Sequence, residues 1–144
     1  MTFIYKFKKE RVESGLYVSR PTIPVVLWGS KGSVTVSALI DSGSDVTVIP
    51  GYLAQAVGLD LGGKVEKLFG FYESHDAIES SAQISFLGRS RQRNVNLKIP
   101  VLITKDEESS MSEEEVILGV AGFFDKFDVS FKKSRNRIIL KQAS

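Results

Sequence analysis

The 144-residue chain contains no cysteine and only one histidine. The lack of cysteine excludes disulfide bonds and cysteine-ligated metals, and a single histidine excludes a histidine-rich metal site. A reducing cytoplasm suits a chain of this composition. The sequence therefore predicts a cytoplasmic protein that needs no metal or other cofactor.

Long apolar runs and a strong charge excess are also missing. No apolar stretch approaches the ~20 residues of a membrane-spanning helix, and the first nine residues lack the apolar core of a signal peptide. The formal net charge of +2 is too small to indicate nucleic-acid binding. We therefore expect neither a membrane nor a nucleic acid as a partner. The length suits one domain, over residues 1–144, with a substantial core.

Most of the chain has the short apolar runs and turn residues of an all-β protein. Strands are predicted at residues 3–7, 23–28, 33–40, 64–69, 77–87, 95–103, 116–119, 128–131 and 137–140. After Pro50 the apolar spacing becomes helical, and Gly58 is placed to end this short helix. A second short helix is predicted from Val120 to Phe127, with its phenylalanines turned to the core.

The stretch from Ala38 to Pro50 interrupts this strand pattern. Its sequence, Ala-Leu-Ile-Asp-Ser-Gly-Ser-Asp-Val-Thr-Val-Ile-Pro, places a polar segment between two apolar runs of strand type. Asp, Ser and Gly favour tight turns, and Gly43 permits backbone angles that a side chain resists. The segment is either an ordinary hairpin turn or a loop on which two strands hold the Asp41 carboxylate rigidly.

A second element, Val116-Ile-Leu-Gly119, lies far downstream. Together with the stretch from Ala38 to Pro50 it resembles the retropepsin-like aspartic proteases, and the similarity extends from about Thr22 to Leu140. The resemblance implies an all-β fold, a closed acid-protease β-barrel with one or two short helices. It also implies an aspartic endopeptidase that acts on peptide or protein substrates.

By the same resemblance, Asp41, Ser42 and Gly43 are the catalytic residues. Ser42 would form hydrogen bonds across a pair of such loops, and Gly43 would let the backbone approach the carboxylates and the substrate. Asp45 would bind the substrate main chain or hold the loop. The alternative for Asp45 is a turn-capping role that needs no substrate.

The segment from Phe69 to Asp76 lies where the family has its flap, a hairpin that closes over the substrate. Gly70 would let this hairpin bend, and Phe71 or Tyr72 would lie against the substrate. The alternative is an ordinary hairpin whose apolar residues pack inward.

An aspartic protease needs two carboxylates, and pepsin-like enzymes carry two Asp-Thr/Ser-Gly loops in one chain. This chain has one such loop and no internal repeat. The other aspartates outside the loop lack an apolar-flanked Asp-Thr/Ser-Gly setting: Asp60, Asp76, Asp106, Asp125 and Asp128. The resemblance therefore implies a homodimer with one Asp41 from each subunit at a twofold axis.

The sequence also departs from the retroviral pattern. Ser42 replaces the usual Thr but keeps the hydroxyl. Val120 follows Gly119 where retroviral enzymes carry an Arg that pairs with the second Asp of the loop, and a hairpin replaces the terminal dimer strand. Two alternatives to the enzyme therefore remain. One is a non-catalytic peptide-binding or dimerisation module, and the other is a small-ligand-binding barrel with an incidental Asp-Ser-Gly loop.

Three charged segments suggest no site of their own. The basic turns at residues 88–94 and 132–136 have the composition of solvated hairpin tips. The acidic segment at residues 105–115 has the composition of a surface loop.

Overall fold

A computed structural model describes residues 1–69, 74–88, 94–105 and 116–143, and strands dominate it. The strands are β1 (Thr2–Tyr5), β2 (Lys8–Arg11), β3 (Tyr17–Arg20), β4 (Thr22–Gly29), β5 (Gly32–Ile40), β6 (Thr47–Ile49), β7 (Val65–Phe69), β8 (Ser74–Phe86), β9 (Val95–Thr104), β10 (Val116–Leu118), β11 (Phe127–Lys132) and β12 (Arg137–Gln142). The short helices are α1 (Gly51–Val57) and a 3₁₀ turn (Lys133–Arg135).

Six of these strands close into a barrel. Hydrogen-bonded neighbours follow the order β4-β5-β10-β6-β9-β8, and β8 pairs with β4 to complete the ring. Along β4 the side chains of Ile23, Val25 and Leu27 are buried, whereas Pro24 and Trp28 are exposed, as expected for a strand with one face on a core. The predicted all-β fold, a closed barrel with one or two short helices, is confirmed.

A second sheet, in the order β1-β12-β11, packs on the barrel through a cluster of aromatic rings. Phe86 of the barrel lies 5.0 Å from Phe127 and 5.5 Å from Phe123, measured between ring centroids. Phe127 in turn meets Phe3 of β1 edge-on at 6.0 Å. Such edge-to-face contacts add to the area that the rings bury. Phe123 and Phe127 therefore lie in the core, as the sequence predicts.

The segment between β1 and β4 forms a small sheet of its own. β2 and β3 pair with each other in a hairpin, and Lys8 faces Arg20 across it. The turn of this hairpin is at residues 12–16, and the sequence predicts neither of its two strands. Their residues are mostly charged, so the apolar alternation that identifies a strand is missing.

The helix predicted after Pro50 is present as α1. Gly58 has a φ of 82°, in the left-handed region, and its N–H donates to the Ala54 carbonyl at 2.9 Å. This is the end that glycine favours, because other residues resist that φ. Within the described ranges, no helix has the length and apolar character needed to cross a membrane.

The sequence predicts a second helix from Val120 to Phe127, and this prediction is wrong for the first half of the segment. Ala121 has an extended ψ of 126°, and Gly122 has a φ of 87°, so the segment is irregular. The N–H groups of Val120 and Ala121 donate to the carbonyls of Ser44 and Asp45, each at 2.8 Å. These bonds to a distant loop replace the local bonds of a helix, and Phe127 begins a strand instead.

Candidate active site

The segment from Asp41 to Val46 joins β5 to β6, yet these two strands do not pair with each other. β10 lies between them, parallel to β5 and antiparallel to β6. The loop must therefore cross over the end of β10. This arrangement excludes the ordinary hairpin turn that the sequence left open.

Gly119, at the end of β10, is the point where the loop crosses. A Cβ at this position would lie 2.2 Å from the carbonyl oxygen of Val46 and 2.7 Å from that of Ser44. The φ of Gly119 is −101°, which any residue adopts. Glycine is needed here because of space, since two backbones pass too closely for a side chain.

Hydrogen bonds fix the loop on both sides of the crossing. The Asp41 N–H donates to the Leu118 carbonyl at 3.0 Å. The Gly119 N–H donates to the hydroxyl of Thr47 at 3.2 Å, and Thr47 is fully buried. The sequence does not predict this role of Thr47, because Thr47 lies in a β-branched run and looks like an ordinary strand residue. Its only signal is a hydroxyl in a strand whose neighbours are all apolar.

The Asp41 carboxylate is partly exposed and turned back on its own loop. Its Oδ1 accepts the Gly43 N–H at 2.8 Å. A Cβ on Gly43 would lie 3.1 Å from the same oxygen, while the φ of Gly43 is not in the left-handed region. Glycine at this position therefore serves close approach to the carboxylate, and not the special backbone angles that the sequence suggested.

Ser42 and Asp45 both point their side chains into solvent. Neither side chain has a hydrogen-bond partner among the residues that the structure describes. The turn-capping role considered for Asp45 is not observed there, because Asp41 makes the capping bond. Val120, which follows Gly119, is 42% exposed.

An apolar row crosses the outer face of the barrel beside Asp41. Leu39 is in register with Ile117, Ile117 with Val48, and Val48 with Leu102, over four neighbouring strands. None of the four belongs to the core cluster, and Leu39 and Ile117 are partly exposed. Asp41 lies directly beyond the end of β5, two residues after Leu39, so the loop begins at the end of this row.

A cavity of about 860 Å³ lies over part of this row. Leu39, Val48 and Ile117 line it, Tyr52 after β6 adds an aromatic wall, and the β2–β3 hairpin lines it from another side. Its size is that of a typical ligand pocket. Asp41 is not among the lining residues, but Leu39, two positions earlier, is.

The hairpin of β7 and β8 is the one that the sequence assigns to a flap. Its strands pair up to Phe69 and Ser74. The predicted substrate-contacting residues at its tip, Gly70, Phe71 and Tyr72, lie outside the described residues.

One ion pair and one pair of carboxyl groups lie along this hairpin. The Lys67 ammonium contacts the Asp76 carboxylate at 2.5 Å, and this hydrogen bond lowers the pKa of Asp76. A hydrogen bond to the Glu79 carboxyl raises the pKa of Glu66, since a shared proton relieves the repulsion of two carboxylates. Both pairs are exposed to water, so they affect the hairpin more than the barrel.

The described aspartates away from the loop are Asp60, Asp76, Asp125 and Asp128. Three of them bind other groups: Asp60 accepts the Gly62 N–H at 2.9 Å, Asp76 pairs with Lys67, and Asp125 accepts the Gly122 N–H at 3.0 Å. Asp106 lies outside the described residues. In the described part of the chain, no group of three or more His, Asp or Glu side chains is arranged to hold a metal.

The sequence matches no protein-family model and no curated protein significantly. The structure, however, is similar to the crystal structure of a retropepsin-like aspartic protease from Rickettsia conorii. The TM-score is 0.54 at 16% identity, over 97% of this chain and 93% of that one. It is also similar to the retroviral protease-like domain of Ddi1 from Leishmania major, with a TM-score of 0.52 at 13% identity, over 88% of this chain and 96% of that one. The resemblance seen in the sequence is confirmed at the level of the fold: this chain has the retropepsin-like fold.

Proposed function

We propose that the protein is a homodimeric aspartic endopeptidase. The observation that carries this proposal is the position of Asp41. It lies on a loop fixed by the crossing at Gly119, two residues beyond Leu39 of the apolar row. One fold neighbour is an aspartic protease and the other is a retroviral protease-like domain, which supports a peptidase activity.

The chemistry requires two carboxylates that share one proton around a water molecule. Like charges about 3 Å apart resist double ionisation, so one carboxylate stays protonated while the other is ionised. The ionised group takes a proton from the water, and the protonated group donates to the scissile carbonyl oxygen. No metal and no covalent intermediate is required. The pair titrates as a unit, and neither pKa belongs to one residue.

A second copy of the chain supplies the second carboxylate in this proposal. Each chain offers one Asp41, and Asp60, Asp76 and Asp125 are bound to other groups. A twofold axis beside the loop would bring two Asp41 side chains together in a self-complementary interface. The Ser42 hydroxyl, which has no partner in the described part of its own chain, would then bond across the axis.

The apolar row would form the floor for an extended peptide. Leu39 and Ile117 offer partly exposed apolar surface near Asp41, which suits large apolar side chains near the scissile bond. Asp45 would bind the peptide main chain through its exposed carboxylate. The tip of the β7–β8 hairpin, with Gly70, Phe71 and Tyr72, would close over the substrate from the other side.

Replacing Asp41 with Asn tests the proposal directly. Wild-type protein should cleave a mixed peptide library between acid and neutral pH as a dimer, with cleavage read by mass spectrometry and mass by sedimentation. Asp41→Asn should lose at least about 100-fold in rate, because the amide can neither give nor take the proton. Asp60→Asn is the matched control, since Asp60 makes the same bond to the N–H two residues on, and it should retain full activity.

A folded dimer that cleaves nothing would overturn the enzyme and favour a non-catalytic peptide-binding module. The observation in favour of that second candidate is the exposed Asp45 side chain, which has no hydrogen-bond partner among the residues that the structure describes. In that case peptide binding should be indifferent to Asp41→Asn. A barrel that encloses a small ligand is not supported, because Val25, Leu27 and Ile84 fill the interior and are fully buried.

A further inference from the structure

The β2–β3 hairpin, residues 8–20, has one face turned to the cavity over the apolar row. Lys8 pairs with Arg20 and Glu10 with Val18, so these four side chains share a face, and all four line the cavity. Lys9 lies on the opposite face, where its ammonium sits 5.0 Å from the centre of the Tyr17 ring. We call this hairpin the arm.

The charged residues of the arm that line the cavity carry a net positive charge, with three cations, Lys8, Arg11 and Arg20, and two anions, Glu10 and Glu13. The Glu10 carboxylate contacts Arg20 at 3.1 Å and Lys8 at 3.5 Å, so two cations surround one anion. The side chains of Glu10 and Arg20 are only 27% and 34% exposed. Charges that are partly shielded from water interact more strongly than fully solvated ones. This face therefore favours an anionic side chain in the cavity.

The arm also has main-chain groups that suit a peptide. Among the described strands, β2 and β3 pair only with each other, so each has an edge without a neighbouring strand. An extended peptide can add to such an edge through main-chain hydrogen bonds, with its side chains selected by the surfaces on either side. Here those surfaces are the apolar row and the charged face of the arm.

We propose that the arm selects substrates with an acidic residue. The favoured peptide places a large apolar side chain on the row beside Asp41 and an Asp or Glu, on one side of the scissile bond, against Lys8 and Arg20. The proposal rests on the endopeptidase proposed above, whose substrate class it narrows. It assigns selectivity to Lys8, Glu10 and Arg20, which the resemblance to aspartic proteases leaves without a role.

Binding can be measured without cleavage in Asp41→Asn protein. The probes are fluorescein-labelled peptides that share one apolar residue and carry either Glu or Gln at each flanking position in turn, read by fluorescence polarisation. In this background, Lys8→Glu should weaken binding of the best Glu peptide about five-fold and leave its Gln counterpart unchanged, as expected for a partly exposed ion pair. Raising the salt to about 1 M should remove the preference for Glu.

Two further variants sharpen this test. Lys9→Glu makes the same charge change on the neighbouring residue, but on the opposite face of the arm, and should have no effect on either peptide. Glu10→Gln removes the anion between the two cations and should strengthen binding of the Glu peptide about three-fold. The opposite signs expected for Lys8→Glu and Glu10→Gln rule out a mere loss of folding.

Equal binding of Glu and Gln peptides at every position would overturn the proposal, as would equal effects of Lys8→Glu and Lys9→Glu. The experiments distinguish failure of the arm proposal from failure of the endopeptidase proposal. If protein with Asp41 intact cleaves peptides without any preference for acidic residues, the enzyme stands and the arm proposal falls. If Asp41→Asn protein binds acidic peptides through Lys8 while protein with Asp41 intact cleaves none, the arm stands and the enzyme falls.

Discussion

Different parts of the chain hold the Asp41 loop and the arm in place. Thr47 and Gly119, which share a hydrogen bond under the loop, are 72 residues apart in sequence. Glu10 and Arg20, which share an ion pair on the arm, are 10 residues apart. The loop is fixed by contacts with a distant part of the chain, at a crossing that leaves no space for a side chain. The arm is held by pairs of residues within its own hairpin.

The loop and the arm meet two different requirements of a hydrolase. A carboxylate that moves a proton needs a fixed position, and two backbones in contact supply it. A surface that recognises a side chain can be built from charged, partly exposed residues on a two-stranded hairpin, which is only marginally stable by itself. Substitutions at the crossing should therefore affect the whole fold, and substitutions on the arm should affect selectivity alone.

The largest effect is expected for Gly119→Ala. The added Cβ would meet the Val46 carbonyl, and neither backbone can move aside, so the free energy of unfolding should fall by about 3 kcal/mol. Urea denaturation measures this change. Gly62→Ala is the control, because its Cβ would meet only the Asp60 carboxylate, at 3.3 Å, and that side chain can move. Similar losses of unfolding free energy in both variants would contradict the conclusion that the crossing is rigid.

A smaller loss is expected for Thr47→Val, which keeps the shape of the side chain but removes the hydroxyl. The Gly119 N–H would then be buried without an acceptor, at a cost of about 1–2 kcal/mol in the free energy of unfolding. Thr47→Ser keeps the acceptor and should recover much of the loss in thermal or urea unfolding. Equal stability of the Val variant and wild type would show that the hydroxyl does not hold the loop.

The smallest effect is expected on the arm. Leu16, in its turn, is 67% exposed, so Leu16→Ala should change the free energy of unfolding by less than about 0.5 kcal/mol. Urea denaturation at several protein concentrations measures it. A larger loss, or one that grows with protein concentration, would mean that the arm is packed in an interface, and the contrast with the loop would fail.

The sequence predicted those parts of the molecule that local patterns encode. The strands on either side of Asp41 alternate or are β-branched, and Gly58 ends a helix where the apolar spacing stops. The pair of motifs around Asp41 and Gly119 was also sufficient to identify the fold. Each single motif, strand or helix signal lies within about a dozen residues of chain, the range over which propensity and periodicity act, although the two motifs are far apart from each other.

The features that the sequence did not predict depend on distant pairs. Nothing near Thr47 indicates that it accepts a bond from Gly119, because that partner is brought by the insertion of β10. The apolar pattern after Val120 does favour a helix, but the first N–H groups of that segment bond to the Asp41 loop. β2 lacks apolar residues altogether, so its pairing with β3 leaves no periodic signal.

The insertion of β10 between β5 and β6 also has a consequence for how the protein is made. During synthesis Asp41 leaves the ribosome long before residues 116–121, the segment over which its loop must close. Contacts so far apart in sequence form slowly, because a long stretch of chain must be ordered first. A nascent chain therefore carries Asp41 on a loop that is not yet fixed, and the loop closes only after residues 116–121 have been translated.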